Sequence, residues 1–262
     1  MNKKLSVFAL SIAIAGSAPA QTGQYAGSEN RKKTTVETVI KEKRPFQLTF
    51  VYPLGTDGVN SSSNEYGSSF NIIGGKTGIV NGFEIGSIFN INQYASKGTQ
   101  IAGIMNYTGT PGNNELSKNV QIAGIINQTQ NGVSTQIGGI FNNTETAHVQ
   151  IAGIINRAQT NANVQIAGII NIIDTVNVQI AGIANKASVS RCQIATVNIT
   201  EKGCFQLGVV NMRDTADGIP FGVVNIVKKG GLMEWELGGS EIIYPTLSFR
   251  SGVQRLYSII SV

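Results

Sequence analysis

A short apolar unit returns along most of this chain at a nearly constant spacing. Residues 164–185, VQIAGIINIIDTVNVQIAGIAN, contain two copies of one octet, and neither copy carries a charged residue. Successive closing Asn residues of the octet lie 13–16 positions apart, except for one gap of 21. Ten copies can be counted, with Glu84 in the Gln position of the first and Pro220 in that of the last. Tandem units of this length predict a repeat architecture in which each unit packs against its neighbours.

The alternation within one octet favours a β-strand. In VQIAGIIN, residues 120–127, the first, third, fifth and seventh positions form an almost purely apolar face. The other positions form a mixed face that holds the Gln and the Asn. The β-branched content and the short length favour one strand of seven or eight residues over a helix.

A unit of about 14 residues fits either one coil of a β-solenoid or one strand and loop of an antiparallel meander. The near-identity of the copies favours the solenoid, because identical positions then stack about 4.8 Å apart and like residues meet. We therefore predict an all-β protein. The predicted fold is a β-solenoid, or β-roll, of about ten 14-residue coils with non-repeating β caps at both ends.

The repeated amides have a structural explanation in such a stack. An unpaired buried amide costs about 1–3 kcal/mol, but an amide above its own copy donates to one neighbour and accepts from the next. We predict structural ladders rather than a ligand-binding row, and the glycine of the octet is expected to let two walls of a flattened coil approach. The predicted Asn ladder is Asn127, Asn142, Asn156, Asn171 and Asn185, and the predicted Gln ladder is Gln121, Gln136, Gln150, Gln165 and Gln179.

The last three units are one residue shorter, and the cysteines lie among them. A bulge or a turn has to absorb the deletion, because a one-residue slip within a strand reverses its faces. Cys192 and Cys204 occupy adjacent units, 12 residues apart. Stacked coils bring them near disulfide range, so the sequence predicts either a disulfide or two inert thiols.

The N-terminus predicts export. A basic start, a short apolar run and the sequence APA at 18–20 are typical of a signal peptide, predicted here at residues 1–20. A polar basic linker is predicted at 21–45. From Phe46 onward, 12 basic residues balance 12 acidic ones, so no nucleic-acid partner is expected.

The remaining domain boundaries follow from where the repeat starts and stops. Residues 46–82 are predicted as an N-terminal β cap and 83–227 as the repeat solenoid. The largest insertion, 107–118, is predicted to be a loop. Residues 228–262 are predicted to form an aromatic C-terminal β segment, which would be either a cap or the first strands of a truncated barrel. Its aromatic residues are Trp235, Tyr244, Phe249 and Tyr257.

The residue pattern does not point to an enzyme. The single histidine, His148, lies in a predicted turn, and Glu234, Glu236 and Glu241 have no opposing acidic cluster for glycoside hydrolysis. No metal-ligand spacing, nucleophile elbow or phosphate loop is present. We therefore predict no catalytic residue, no metal and no cofactor.

The wording of the repeats resembles a known family. The segments FVYPLGTDG, NIIGGKTGIVNGFEIGSIFNI, the tandem QIAGIIN units and LSFRSGVQRLYSIISV are similar to bacterial surface repeat-containing proteins of the cell envelope. The resemblance covers residues 46–262 and implies a surface or outer-membrane location. That family is largely uncharacterised, so it transfers no catalytic or binding residue.

These observations predict an exported, non-enzymatic surface or outer-membrane-associated repeat protein that acts as a structural scaffold or an adhesion and interaction module. The expected partners are a glycan, a host surface or another envelope protein, and membrane association is expected through the C-terminal segment. The expected locations are the cell surface, the outer membrane and the periplasm. The alternative is an integral outer-membrane β-barrel or a fragment of one.

Overall fold

The structure of the protein is a computed structural model that describes residues 40–94, 97–109, 119–130, 132–239 and 245–262, except for the side chain of Cys204. The chain divides into residues 1–32, which lie outside the described residues, and residues 33–262. The predicted signal peptide, the predicted linker up to residue 39 and most of the predicted loop at 107–118 also lie outside them.

Strands make up most of the described chain. Strands β1 to β7 span Lys43–Val51, Leu54–Gly55, Glu65–Thr77, Ile79–Gly86, Phe89–Asn92, Thr99–Ala102 and Met105–Thr108. Strands β8 to β14 span Val120–Ala123, Ile126–Thr129, Gly132–Gly138, Phe141–Ala152, Ile155–Ala167, Ile170–Ala181 and Ala184–Ile194. Strands β15 to β21 span Val197–Leu207, Val210–Thr215, Ile219–Phe221, Val224–Lys229, Leu232–Gly238, Thr246–Val253 and Leu256–Ser261. A short 3-10 helix occupies Gly58–Ser63.

The strands up to β18 form one stack of coils. All of them pair in parallel except β2, which is antiparallel to β1. Equivalent positions lie opposite each other, so Gln165 pairs with Gln179 and Asn171 with Asn185. About eleven turns are formed, which confirms the predicted β-solenoid. The stack starts before the first octet, since β1 already lies parallel to β3 with Leu48 opposite Phe70.

The octet is two strands joined by a corner, and the prediction of one strand was wrong. Strands β8 and β9 are separated by Gly124 and Ile125, where the chain turns. A Cβ on Gly124 would lie 2.1 Å from the carbonyl oxygen of Gly103 in the preceding coil. Glycine is therefore required because successive corners stack closely. The predicted approach of two walls does not explain it.

The corner also absorbs the shortening of the last three units. Ile180 lies opposite Ile194, and Ala184 lies opposite Val197. Three residues connect the first members of these pairs and only two connect the second. The strands on both sides of the corner thus keep their register, and their side chains keep their faces.

The Gln, Ala and Asn positions of the mixed face point inward, whereas its corner isoleucine and the apolar face point outward. Gln165 and Asn171 are fully buried, whereas Ile166 between them in sequence is 38% exposed. The rest of the interior is filled by hydroxyl side chains such as Thr129 and Thr144, by Tyr66 and Arg213, and by apolar side chains. A buried cluster of them consists of Val133, Ala147, Ala158, Ala162, Ile173, Val176 and Ala187.

A second sheet contacts the last coil. Strands β19, β20 and β21 pair antiparallel, and Ser251 of β20 accepts a hydrogen bond from the backbone N–H of Asn225 at 3.1 Å. Trp235 packs against Phe249 with a ring-centroid distance of 4.7 Å. This sheet includes most of the predicted aromatic C-terminal segment, and Tyr244 lies outside the described residues.

Candidate functional site: two amide ladders and an outer apolar ridge

A continuous column of glutamine amides runs through the interior. From Gln121 onward, each Nε2 donates to the Oε1 of the Gln one coil earlier, at 2.7–3.0 Å. The column contains all five glutamines that we predicted as a ladder. Its members are Gln100, Gln121, Gln136, Gln150, Gln165, Gln179, Gln193 and Gln206, and every one is fully buried.

A column of asparagine amides runs beside it with the opposite direction of donation. From Asn71 to Asn211, each Nδ2 donates to the Oδ1 of the Asn one coil later, at 2.9–3.1 Å. It contains all five predicted asparagines. Its members are Asn71, Asn90, Asn106, Asn127, Asn142, Asn156, Asn171, Asn185, Asn198, Asn211 and Asn225.

The asparagine amides also hold the backbone of the next coil. Nδ2 of Asn156 donates to the carbonyl oxygen of Ile166 at 2.7 Å in addition to Oδ1 of Asn171, and its own Oδ1 accepts from Asn142. An amide used in this way has little capacity left for a ligand. The ladders therefore set the register of the coils, and a binding surface has to be sought elsewhere.

The Gln ladder ends at its N-terminal side on a buried carboxyl group. Glu84 accepts from Nε2 of Gln100 at 3.0 Å and from Nδ2 of Asn71 at 3.2 Å. Burial raises the pKa of Glu84 to about 7, although the hydrogen bonds from Gln100, Asn71 and Ser69 oppose that rise. A carboxyl group at this position is the one ionisable member of an otherwise neutral column.

Sequence reasoning missed Asn71 as a member of the Asn ladder. The residue opposite Asn90 in the preceding coil is Gly75, and a Cβ there would lie 2.0 Å from Oδ1 of Asn71. The amide of Asn71 thus fills the place that Gly75 leaves open, from a different position of the coil. Only the absence of an octet at 71–75 hinted at an exceptional arrangement.

The C-terminal ends of the two ladders differ. Oε1 of Gln206 is buried and has no hydrogen-bond partner among the described residues, because Pro220 lies opposite it and offers no amide. The Asn ladder continues into the second sheet, where Nδ2 of Asn225 donates to Oγ of Ser258 at 3.1 Å. Ser258 in turn donates to the carbonyl oxygen of Gly222.

Four outward columns of the octet form a surface that we call the apolar ridge. The first-position column is Phe83, Thr99, Val120, Thr135, Val149, Val164, Val178, Cys192, Phe205 and Ile219. The third-position column is Leu48, Phe70, Ile85, Ile101, Ile122, Ile137, Ile151, Ile166, Ile180, Ile194, Leu207 and Phe221.

The other two columns lie at the corner and just after it. The corner column is Ile88, Ile104, Ile125, Ile140, Ile154, Ile169, Ile183, Thr196, Val209 and Val223. The last column is Phe89, Met105, Ile126, Phe141, Ile155, Ile170, Ala184, Val197, Val210 and Val224. The four columns contain no charged residue, and many of their large side chains are 37–57% exposed.

The outward face next to the last column of the ridge is polar and mixed in charge. A groove of about 650 Å³ there is lined by Arg157, Asp174, Lys186, Glu201 and Lys228 among others. Lys228 pairs with Asp214 at 2.7 Å, and Oγ of Ser188 donates to Asp174 at 2.9 Å. Part of its polar lining thus has protein partners, and the groove carries charges of both signs.

The other candidate residues are not brought together into a site. His148 is exposed, and Glu234 and Glu236 lie on the exposed strand β19, while Glu241 lies outside the described residues. Within the described ranges, no group of three His, Cys, Asp or Glu residues could hold a metal ion.

The disulfide remains a prediction. Cys192 lies opposite Phe205 in the register, one residue beyond Cys204, whose side chain lies outside the described part of the structure.

Comparison with family models, with curated proteins and with solved structures finds no match to this chain. Among the described residues, no helix has the length and apolar character that crossing a membrane would take.

Proposed function

We propose that this chain is an exported, non-enzymatic repeat protein that acts as a scaffold and interaction module of the bacterial cell envelope. The observation that carries the proposal is the apolar ridge, an uncharged outer surface repeated on every coil. Contiguous exposed apolar patches larger than a few hundred Å² are typical of interaction sites. The interior supports this role, since ladders that satisfy their own amides hold the ridge in a fixed register.

Export is tested through the predicted cleavage site. The full chain is produced in Gram-negative cells, and we expect a mature protein that starts at Gln21 in the envelope fraction and is accessible to external protease. Arginine at positions 18 and 20 should block cleavage, because signal peptidase requires small residues there. Ala26→Arg, beyond the site, is the matched control. An uncleaved wild-type protein in the cytoplasm would contradict the proposal.

The interaction role is tested by removing a whole coil. Deletion of residues 156–170 joins Ile155 to Asn171, which lie in equivalent places because Ile155 pairs with Ile170 and Asn156 with Asn171. The shortened protein should fold and bind isolated cell envelopes less tightly, in proportion to the coils removed. Undiminished binding by a folded deletion variant would assign the interaction to the ends of the chain.

The second candidate is an integral outer-membrane barrel, which the antiparallel strands β19–β21 favour. Two of their side chains, Trp235 and Leu237, are 70% and 78% exposed, as expected of barrel strands whose apolar side chains face lipid. Release of the mature protein from envelopes by carbonate, without detergent, would count against this candidate. Retention until detergent is added would support it.

A further inference from the structure

We infer that the apolar ridge docks onto the surface of an anionic lipid bilayer, with the solenoid axis lying along the membrane. The inference rests on the proposed envelope function and names the partner of the ridge. The third-position column alone makes eleven register steps from Leu48 to Phe221. At about 4.8 Å a step, the ridge is about 50 Å long.

The shape of the ridge favours a bilayer over a second copy of the chain. The corner column lies at a bend whose inner side is filled by buried Gln and Asn residues, so its outer side is convex up to Ile183, and a shallow apolar groove lined by Thr196, Val209 and Val223 follows over the last coils. A convex edge can enter the fluid boundary between headgroups and acyl chains, where apolar faces are typically buried about 5–10 Å deep. Two convex edges cannot close a broad interface with each other.

The charges that flank the ridge favour an anionic surface. Beside the last column the charged side chains are Lys76, Arg157 and Lys186, and beside the first column the charged side chain is that of Arg191. No acidic residue of the described chain occupies either flanking position. Basic groups next to an inserted apolar face attract lipid phosphates.

Most of the backbone of the ridge is hydrogen-bonded, which lowers the cost of contact with an apolar medium. An unsatisfied N–H or C=O group costs several kcal/mol in hydrocarbon, which normally excludes open sheets from membranes. Here the parallel ladders join each coil to both neighbours, and the corners are joined as well, as where the N–H of Ile140 donates to the carbonyl oxygen of Ile125 at 3.0 Å. Apart from Thr99, Thr135 and Thr196, the side chains that would meet the lipid are apolar.

The test is sedimentation of the purified full chain with unilamellar vesicles. We expect binding to vesicles of phosphatidylglycerol and phosphatidylcholine, and weaker binding to phosphatidylcholine alone. The ridge variant carries Ile104→Thr, Ile140→Thr and Ile183→Thr, which are corner positions 43–53% exposed. Thr196 already occupies the same column, so the variant should fold. Its binding should fall about tenfold or more, since three large apolar side chains leave the lipid.

Matched variants separate the apolar from the electrostatic contribution. Val189→Thr, 41% exposed on the side of the coil away from the ridge, should leave binding unchanged. Glutamine at Arg157, Lys186 and Arg191 should abolish the preference for phosphatidylglycerol. Glutamine at Lys202, also away from the ridge, should preserve that preference.

Each contrary result has a definite meaning. Equal binding by the ridge variant and the wild type overturns the inference. So does a soluble dimer that the ridge variant loses, because the ridge would then be an interface between copies. If the protein is exported but does not bind vesicles, the proposed function stands and the inferred lipid partner is wrong. A protein that binds vesicles but stays in the cytoplasm would support the lipid partner and contradict the proposed envelope function.

Discussion

The interior ladders and the outer ridge come from the same eight residues and invert the usual distribution of polarity. Gln165 and Asn171 are fully buried, while Ile166 and Ile180 are 38% exposed. An amide is tolerated inside because its partner stands one coil away at hydrogen-bond distance. Burial in this fold thus follows from whether a group is satisfied by its own copy, and hydrophobicity alone does not decide it.

The largest effect on stability is expected from removing one interior amide. Asn156→Leu deletes the donor to Asn171 and to the carbonyl oxygen of Ile166, and the acceptor of Asn142. Several buried polar groups then lose a partner at about 1–3 kcal/mol each, so we expect a loss of about 4 kcal/mol in the free energy of unfolding. Urea titration monitored by circular dichroism measures it. A loss below about 1 kcal/mol would mean that water replaces the amide.

The next largest effect concerns the ionisable end of the Gln ladder. Because the pKa of Glu84 rises from 4.5 to about 7 on folding, the folded state binds the proton more tightly than the unfolded state does. The contribution of Glu84 to the free energy of unfolding is therefore greatest below pH 4.5 and is lost as the pH rises through about 7, by at most about 3 kcal/mol. Glu84→Gln continues the ladder without a charge and should raise stability at pH 8 by a similar amount.

Thermal unfolding of wild type and Glu84→Gln across pH 5 to 8 checks this prediction. The wild type should lose stability over that range and the variant should lose much less. Glu201→Gln, which changes an exposed carboxylate, is the control and should retain the wild-type profile. Parallel profiles for Glu84→Gln and the wild type would show that Glu84 does not titrate within the range.

A smaller effect is expected where the Gln ladder lacks its last member. Pro220→Gln places an amide opposite Gln206 and supplies a donor to its unpartnered Oε1. A completed bond adds about 1 kcal/mol to the free energy of unfolding. The melting temperature should rise accordingly. A decrease would indicate that Ser251 and its strand occupy the space that the new side chain needs.

The smallest effect is expected on the ridge itself. Ile166→Thr changes an apolar side chain that is already 38% exposed, and the neighbouring first-position column of the ridge already contains threonine at Thr135. We expect a change below about 0.5 kcal/mol in the free energy of unfolding, as for most surface substitutions. The same urea titration used for Asn156→Leu measures it. If Ile166→Thr lowered the free energy of unfolding as much as Asn156→Leu, the ridge would contribute to stability as much as the ladders do, contrary to the prediction.

The stack and the residues that meet in it could be predicted from the sequence, because few folds besides stacked coils give every copy of a 14-residue unit and its amides the same partners. The sequence did not determine which face of the octet is interior, since alternation is symmetric and apolar faces are usually buried. The corner at Gly124 was missed for a related reason. A strand and a bent strand share the same short pattern, and only contact with Gly103 in another coil requires the glycine.

The exceptional residues near the ends of the ladders were harder to predict from the sequence than the repeat was. Asn71 reaches the Asn ladder from another position of its coil, and Gly75 leaves the room for it. Neither residue belongs to an octet, so a search by spacing passes over both. The termination of the Gln ladder on Glu84 could be read as a substitution in the pattern. Its raised pKa depends on complete burial, which only the packed structure shows.

The opposite directions of donation in the two ladders have an electrostatic consequence for growth. An α-helix sums aligned peptide dipoles of about 3.5 D into partial charges at its ends. Here the Gln amides point their N–H groups toward earlier coils and the Asn amides toward later ones. The two rows of side-chain dipoles oppose each other, so they largely cancel however many coils are added. Such a stack can lengthen without building up a terminal charge from its side-chain amides.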